Sequence, residues 1–158
     1  MNDSVCIETK RVRFSYPDGP EVLSGISFTI HQGGFVAIIG QNGSGKTTLA
    51  KHLNGLLRPT SGEVLLLGKT VGDKPVSDMA KNVGYVFQNP DHQIFSSTVR
   101  EELAFGPRNL GLDEVTVNHR TEKALECFGL SPFADHPPAS LGFGLRRKVS
   151  IAAVYAMR

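Results

Sequence analysis

The chain has 158 residues, 40% hydrophobic and 20% charged, with 17 Gly and 9 Pro. That length suits one domain with a real core, and Gly plus Pro stay below the range of low-complexity disorder. Net charge is +2, from 17 basic and 15 acidic residues, which gives no electrostatic case for a nucleic-acid partner.

Val5 to Phe14 alternates in stretches and carries few turn residues, as in a half-buried strand. Pro17-Asp18-Gly19-Pro20 is a turn. Ile26 to Ile30 alternates apolar residues with Ser27 and Thr29, a second strand. After the turn His31 to Gly34, Phe35 to Ile39 is apolar throughout, which predicts a strand buried on both faces of a parallel sheet. Gly40 to Gly45 is a Gly-rich loop. Thr47 to Leu57 then reads as a helix, with Leu49, Leu53 and Leu56 at helical spacing. Arg58 to Gly62 stops it. Val64 to Leu67 and Val83 to Phe87 are short strands.

Beyond Asn89-Pro90 the pattern turns helical. Val99 to Phe105 predicts one helix. Asp113 to Phe128 predicts another, with Val117, Thr121, Ala124 and Phe128 on one face and Gly129 as its stop. Ser131 to Ser140 is a Pro-rich connection. From Leu145 onward Val149, Ala152, Ala153 and Ala156 fit an amphipathic helix with no stop signal. No apolar run approaches the ~18 residues of a membrane span. Met1 to Ser4 has neither the basic nor the apolar region of a secretory leader. Cys6 and Cys127 form no metal or redox motif, which fits thiols in a reducing cytoplasm.

Gly40-Gln41-Asn42-Gly43-Ser44-Gly45-Lys46-Thr47 matches the phosphate-loop pattern G-x-x-x-x-G-K-[ST]. A predicted strand precedes it and a predicted helix follows. The glycines let backbone N–H groups curl round an anion without Cβ clashes. The helix N-terminus adds its dipole. Lys46 is placed to reach the β- and γ-phosphates, Thr47 to ligate Mg²⁺, and Thr48 to touch the α-phosphate. The bare pattern arises by chance in about 1% of chains of this composition, and the flanking elements cut that further.

On these residues the chain resembles the nucleotide-binding domain of ABC transporters, over nearly its whole length. Gly40 to Thr48 corresponds to the family's Walker A. Phe14-Ser15-Tyr16 is similar to its A-loop, which implies that Tyr16 stacks on adenine. Arg58 to Val64 resembles the link from helix to strand. Gln88, after Gly84 to Phe87, resembles the Q-loop glutamine, which implies a Mg²⁺ ligand that senses the membrane partner. Phe87 to Phe95 and Val99 to Leu112 resemble the energy-coupling-factor ATPases of cobalt and vitamin uptake. His92, alone in a polar loop, carries no metal reading. Ile94 and Phe95 suit a core, and the resemblance favours a place at or near the groove for a membrane subunit's coupling helix.

The chain departs from the family in two places. The signature reads Leu-Ser-Gly-Gly-Gln in the family and Leu141-Gly142-Phe143-Gly144-Leu145 here. Gly142 lacks the hydroxyl offered to the opposite subunit's γ-phosphate, and Phe143 is bulky where backbone approaches it. Losing one such donor commonly costs ~10²–10³ in rate. Arg146-Arg147-Lys148 then oppose a helix dipole, which an anion in front would offset; a solvated basic face is the equal alternative. The second departure is Walker B. No apolar run ending in Asp-Glu occurs, so no residue is expected to act as general base on water.

The resemblance implies an α/β P-loop fold with an N-terminal antiparallel β portion, a helical subdomain over about 98–145, and the C-terminal part of the core missing. The chain is expected to be the N-terminal part of a longer ATPase. Its implied cofactors are ATP and Mg²⁺. Its implied partners are a second ATPase subunit, identical or homologous, a transmembrane coupling subunit and a substrate-capture membrane protein, with no nucleic acid. Its implied place is the cytoplasmic face of the cell membrane. Residues 1–158 would bind ATP and not hydrolyse it alone. The alternative is a non-catalytic module that pairs with an intact homologue.

Overall fold

The computed structural model describes residues 4–73 and 75–158. They divide after Val83 into two units, each with its own core.

In the first unit, β1 (Val5–Ser15) and β2 (Glu21–His31) form a long antiparallel pair. The alternation in the sequence is what lets one face of this pair be buried. β3 (Ser61–Leu66) pairs with the other edge of β1, and the short β4 (Lys69–Thr70) pairs with β3. The order is β2-β1-β3-β4. β1 is bulged at its centre: Arg11 has φ 47° and its N–H donates to Ser27 Oγ at 2.8 Å. A Cβ on Gly62 would stand 2.3 Å from Arg11 O, so only glycine lets β3 cross the bulge. Val12, Phe14, Leu23, Leu49, Val64 and Leu66 are the centre of this core. Helix α1 (Lys46–Leu53) packs on the sheet through Leu49. The short α2 (Val76–Ala80) follows β4.

In the second unit, α3 (Val99–Asn109), α4 (Glu114–Cys127) and α5 (Phe143–Ala156) pack together. Val99, Leu103, Ala124, Leu125, Val149 and Ala152 fill the space between them. Thr98 caps α3 through the N–H of Glu101, and Asp113 caps α4 through the N–H of Thr116. The α4 hydroxyl-and-amide cap holds the Asp113 carboxyl below the usual aspartate range, the Thr116 N–H being the larger cause and its hydroxyl the next. Gly129 takes φ 64° at the end of α4. The Pro-rich connection holds two single turns, at Ser131–Phe133 and Pro138–Ser140.

Several expectations fail. Phe35 to Ile39 is not a strand, and Phe35 and Ile39 are 99% and 92% exposed. A strand that is apolar on both faces needs neighbours on both edges and layers on both sides. The sheet among the described residues is antiparallel and does not include this segment. Val83 to Phe87 fails for the same reason; its residues belong to no strand, though Tyr85 and Phe87 stack edge to face at 5.0 Å. The first helix stops at Leu53 rather than Leu57, because Asn54 caps it and Gly55 takes φ 77°. Leu56 therefore lies outside it, 43% exposed. The third helix runs past Phe105 to Asn109, carrying the buried Pro107 in its last turn. A proline there removes one main-chain donor from a turn already near its end. The last helix starts at Phe143, so Phe143 to Leu145 of the signature-like segment belong to it.

Candidate functional site

The Gly40–Thr48 segment joins the exposed 35–39 run to α1. Gly43 and Gly45 have φ 83° and 88°, a left-handed conformation that other residues rarely adopt. Gly45 is also the N-cap of α1, and no side chain caps the helix. The first-turn N–H groups thus lack a side-chain acceptor. A Cβ on Gly40 would stand 2.7 Å from Ser44 Oγ. Gln41 accepts from Ser44 N–H at 3.2 Å, which closes the loop into a turn around Asn42 and Gly43.

The Lys46 ammonium folds back over this loop. It donates to Gly40 O at 2.7 Å and Gln41 O at 2.6 Å. A cation and a set of uncapped amides face one concave turn, a donor set that suits a polyphosphate. Thr47 is exposed beside it and Thr48 is buried. The hydroxyl of Thr47 suits a hard cation that prefers oxygen ligands.

Tyr16 lies at the end of β1 and reaches α1. Its hydroxyl shares a hydrogen bond of 3.2 Å with Thr48 Oγ1. Its ring meets Phe14 edge to face at 4.8 Å and remains 42% exposed. Phe14 in turn meets the ring of His52 at 4.6 Å. The aromatic face and the loop are therefore joined within one unit.

Gln88 and the signature-like segment lie in the second unit. Gln88 is exposed, and its main chain is held from α5. Arg147 Nη1 donates to the carbonyls of Phe87 and Gln88, the latter at 2.6 Å. Gln93 accepts from Phe87 N–H at 3.2 Å and donates to Ser150 O at 2.9 Å. Arg146 donates to Leu141 O at 3.2 Å, and its Nε stands 3.2 Å from Asp91 Oδ1 as an ion pair without hydrogen-bond alignment. Arg146 and Arg147 are thus turned toward protein carbonyl and carboxylate oxygens, and Lys148 beside them is exposed. Gly142 caps α5 without a side-chain acceptor, and Phe143 is 58% exposed. Leu141 is buried, while Gly144 is open on its Cβ side. Ile94 packs against the helical core, whereas Phe95 is 65% exposed and meets Phe105 edge to face at 4.6 Å.

Three contributors, Gln93, Glu102 and His52, escaped sequence reasoning, as did the partners of Arg147. Arg147 and Gln93 act across 57 to 60 residues. Glu102 is buried and accepts from the N–H groups of Phe95 and Ser96. His52 is fully buried one turn after Thr48. Only a charged residue within the apolar face of α3 hinted at Glu102; nothing local signalled the others.

Residues 23–158 match the ABC transporter family, and the chain belongs to it. It is 48% identical over 154 residues to the energy-coupling factor transporter ATP-binding protein of Methanocaldococcus jannaschii, covering 96% of this chain and 55% of that protein. The protein of the same name from Methanoculleus marisnigri is 47% identical over 151 residues, covering 96% and 54%. The solved structure of cbiO1 from Clostridium perfringens, part of the ABC transporter complex cbiONQ, superposes with a TM-score of 0.86 at 34% identity, over 98% of this chain and 62% of that one. The fold is therefore that of an α/β P-loop ABC ATPase. The chain spans about 55% of the length of the curated relatives it matches. No helix among the described residues is long and apolar enough to cross a membrane.

Proposed function

We propose that this chain is the ATP-binding part of an energy-coupling-factor importer ATPase. In the whole protein, ATP binding and hydrolysis would drive uptake of a vitamin or metal ion. The observation that carries the reading is the Gly40–Thr48 turn, with Lys46 over it and the α1 amides uncapped. The relatives named as transporter ATP-binding proteins support it. They lend less support to a non-catalytic module.

In this reading Lys46 leaves the Gly40 and Gln41 carbonyls and turns to the β- and γ-phosphates. Amides from Gln41 to Thr48 line the polyphosphate, and Tyr16 offers its exposed ring face to adenine. Thr47 would hold Mg²⁺, which would neutralise charge on the phosphates, and Gln88 is proposed as a further ligand on the family resemblance alone. Residues 1–158 offer no carboxylate at a Walker B position, so hydrolysis is assigned to the whole protein and not to this chain alone. The helical subdomain is proposed over about 98–145. Partners are a second ATPase subunit, a transmembrane coupling subunit and a substrate-capture membrane protein, on the cytoplasmic face of the membrane.

The test is calorimetric titration of the chain with ATP and Mg²⁺, beside the Lys46→Ala variant. Binding by the parent chain and none by the variant is expected. Equal binding by both would refute the site.

A further inference from the structure

His52 has a role that packing does not explain, and that role rests on the proposed function, with Tyr16 as the adenine face. His52 is fully buried in α1, a full turn beyond Thr48. Its Nδ1 stands 2.7 Å from Thr48 O. A carbonyl can only accept, so Nδ1 carries the hydrogen and donates. Thr48 O already accepts within the helix, so this is a second donor on the same oxygen. The other ring nitrogen, Nε2, is buried with no hydrogen-bond partner. A leucine would fill the same space without stranding a polar atom. What leucine could not do is fix a ring plane by a directional bond.

That plane meets Phe14 at 4.6 Å with the rings 74° apart. Phe14 meets Tyr16 at 4.8 Å and 84°. Tyr16 returns to Thr48 through the 3.2 Å bond between hydroxyls. The four residues close a ring of contacts, and Thr48 is fastened at two points, by its carbonyl to His52 and by its hydroxyl to Tyr16. All four belong to the first unit.

We infer that His52 is the positioning residue for the adenine-stacking ring of Tyr16. It acts through the edge of Phe14, the Thr48 carbonyl serving only to anchor the imidazole, and it touches no phosphate. It thereby sets how strongly the base contributes to nucleotide affinity, independently of the polyphosphate.

The experiment compares calorimetric titrations of the chain with ATP and with inorganic tripolyphosphate, both with Mg²⁺. His52→Leu is expected to weaken ATP about five- to tenfold, a part of the stacking contribution of one base, and to leave tripolyphosphate unchanged. His52→Asn, whose amide can donate to the same carbonyl, is expected to recover part of the loss. A merely structural role would weaken both ligands by one factor, and that result overturns the inference. So does unchanged ATP affinity in His52→Leu. Should His52→Leu fail to fold, Phe14→Leu carries the same expectation: loss on ATP alone supports the inference, and equal loss on both ligands overturns it. A parent chain that binds tripolyphosphate but gains nothing from the base refutes the Tyr16 assignment. A parent chain that binds neither refutes the functional reading, and the inference falls with it.

Discussion

Glu101 and Glu102 are adjacent on α3 and predict opposite outcomes. Glu102 Oε2 accepts from Phe95 N–H at 3.1 Å and from Ser96 N–H at 2.9 Å. One carboxylate oxygen therefore satisfies two main-chain donors, and the side chain is 4% exposed. Removing it leaves two part-buried amides without an acceptor. At ~1–3 kcal/mol for an unmatched donor, discounted for water that reaches this turn, Glu102→Ala should cost about 2–3 kcal/mol. For a chain of this size that is a fall in melting temperature of about 5–10 °C. Glu102→Gln keeps an oxygen for both amides and loses only the charge, so it should cost about 1 kcal/mol. Glu101 is exposed and answers mainly to Ser97 Oγ, so Glu101→Ala should leave the melting temperature nearly unchanged. Thermal unfolding followed by far-UV circular dichroism reads all three, since α3, α4 and α5 supply most of the helix. Equal losses for Glu101→Ala and Glu102→Ala, or for Glu102→Gln and Glu102→Ala, would refute the assignment.

The Asp113 cap predicts a pH dependence. A carboxyl held below its usual range by Thr116 contributes stability that is present above that range and lost as pH falls through the lowered folded value. Asp113→Asn caps α4 without titrating. The difference in stability between parent and variant should therefore shrink in acid, and a constant difference across the acid limb would refute the cap's role. At the signature-like segment, a Cβ on Gly142 would meet nothing within 4 Å, so Gly142→Ser fits the existing backbone. Paired with Phe143→Gly in a complex with a complete partner ATPase, it should raise the hydrolysis rate. No gain would count against this segment as the signature.

The glycine turn and the start of α1 were legible because their determinants are local: glycines, lysine and hydroxyl lie within nine residues. The strands β1 and β2 were legible for the same reason, whereas the caps at Thr98 and Asp113 came only from the structure. Phe35 to Ile39 and Val83 to Phe87 were misread because a parallel sheet is not a local object. Their composition states what surroundings they suit, and the antiparallel sheet here does not supply them. The grip of α5 on the main chain at Phe87 and Gln88 was illegible because it depends on how far Arg147 reaches in three dimensions. Arg146, Arg147 and Lys148 were weighed against an anion and against water, and the contacts of Arg146 and Arg147 with protein oxygens were not foreseen.

The bare 35–39 run has a practical consequence for any binding measurement made on this chain in solution. Five exposed apolar residues outside the sheet of the described residues make a template for any strand that arrives, including the same run on another copy. Such pairing rises with protein concentration and would deliver a neighbour directly against the mouth of the phosphate loop. Nucleotide affinity measured on concentrated samples would then report self-association as well as binding. Titrations should be repeated over a dilution series with light scattering recorded beside them, and the limiting value at low concentration is the one that belongs to the single chain.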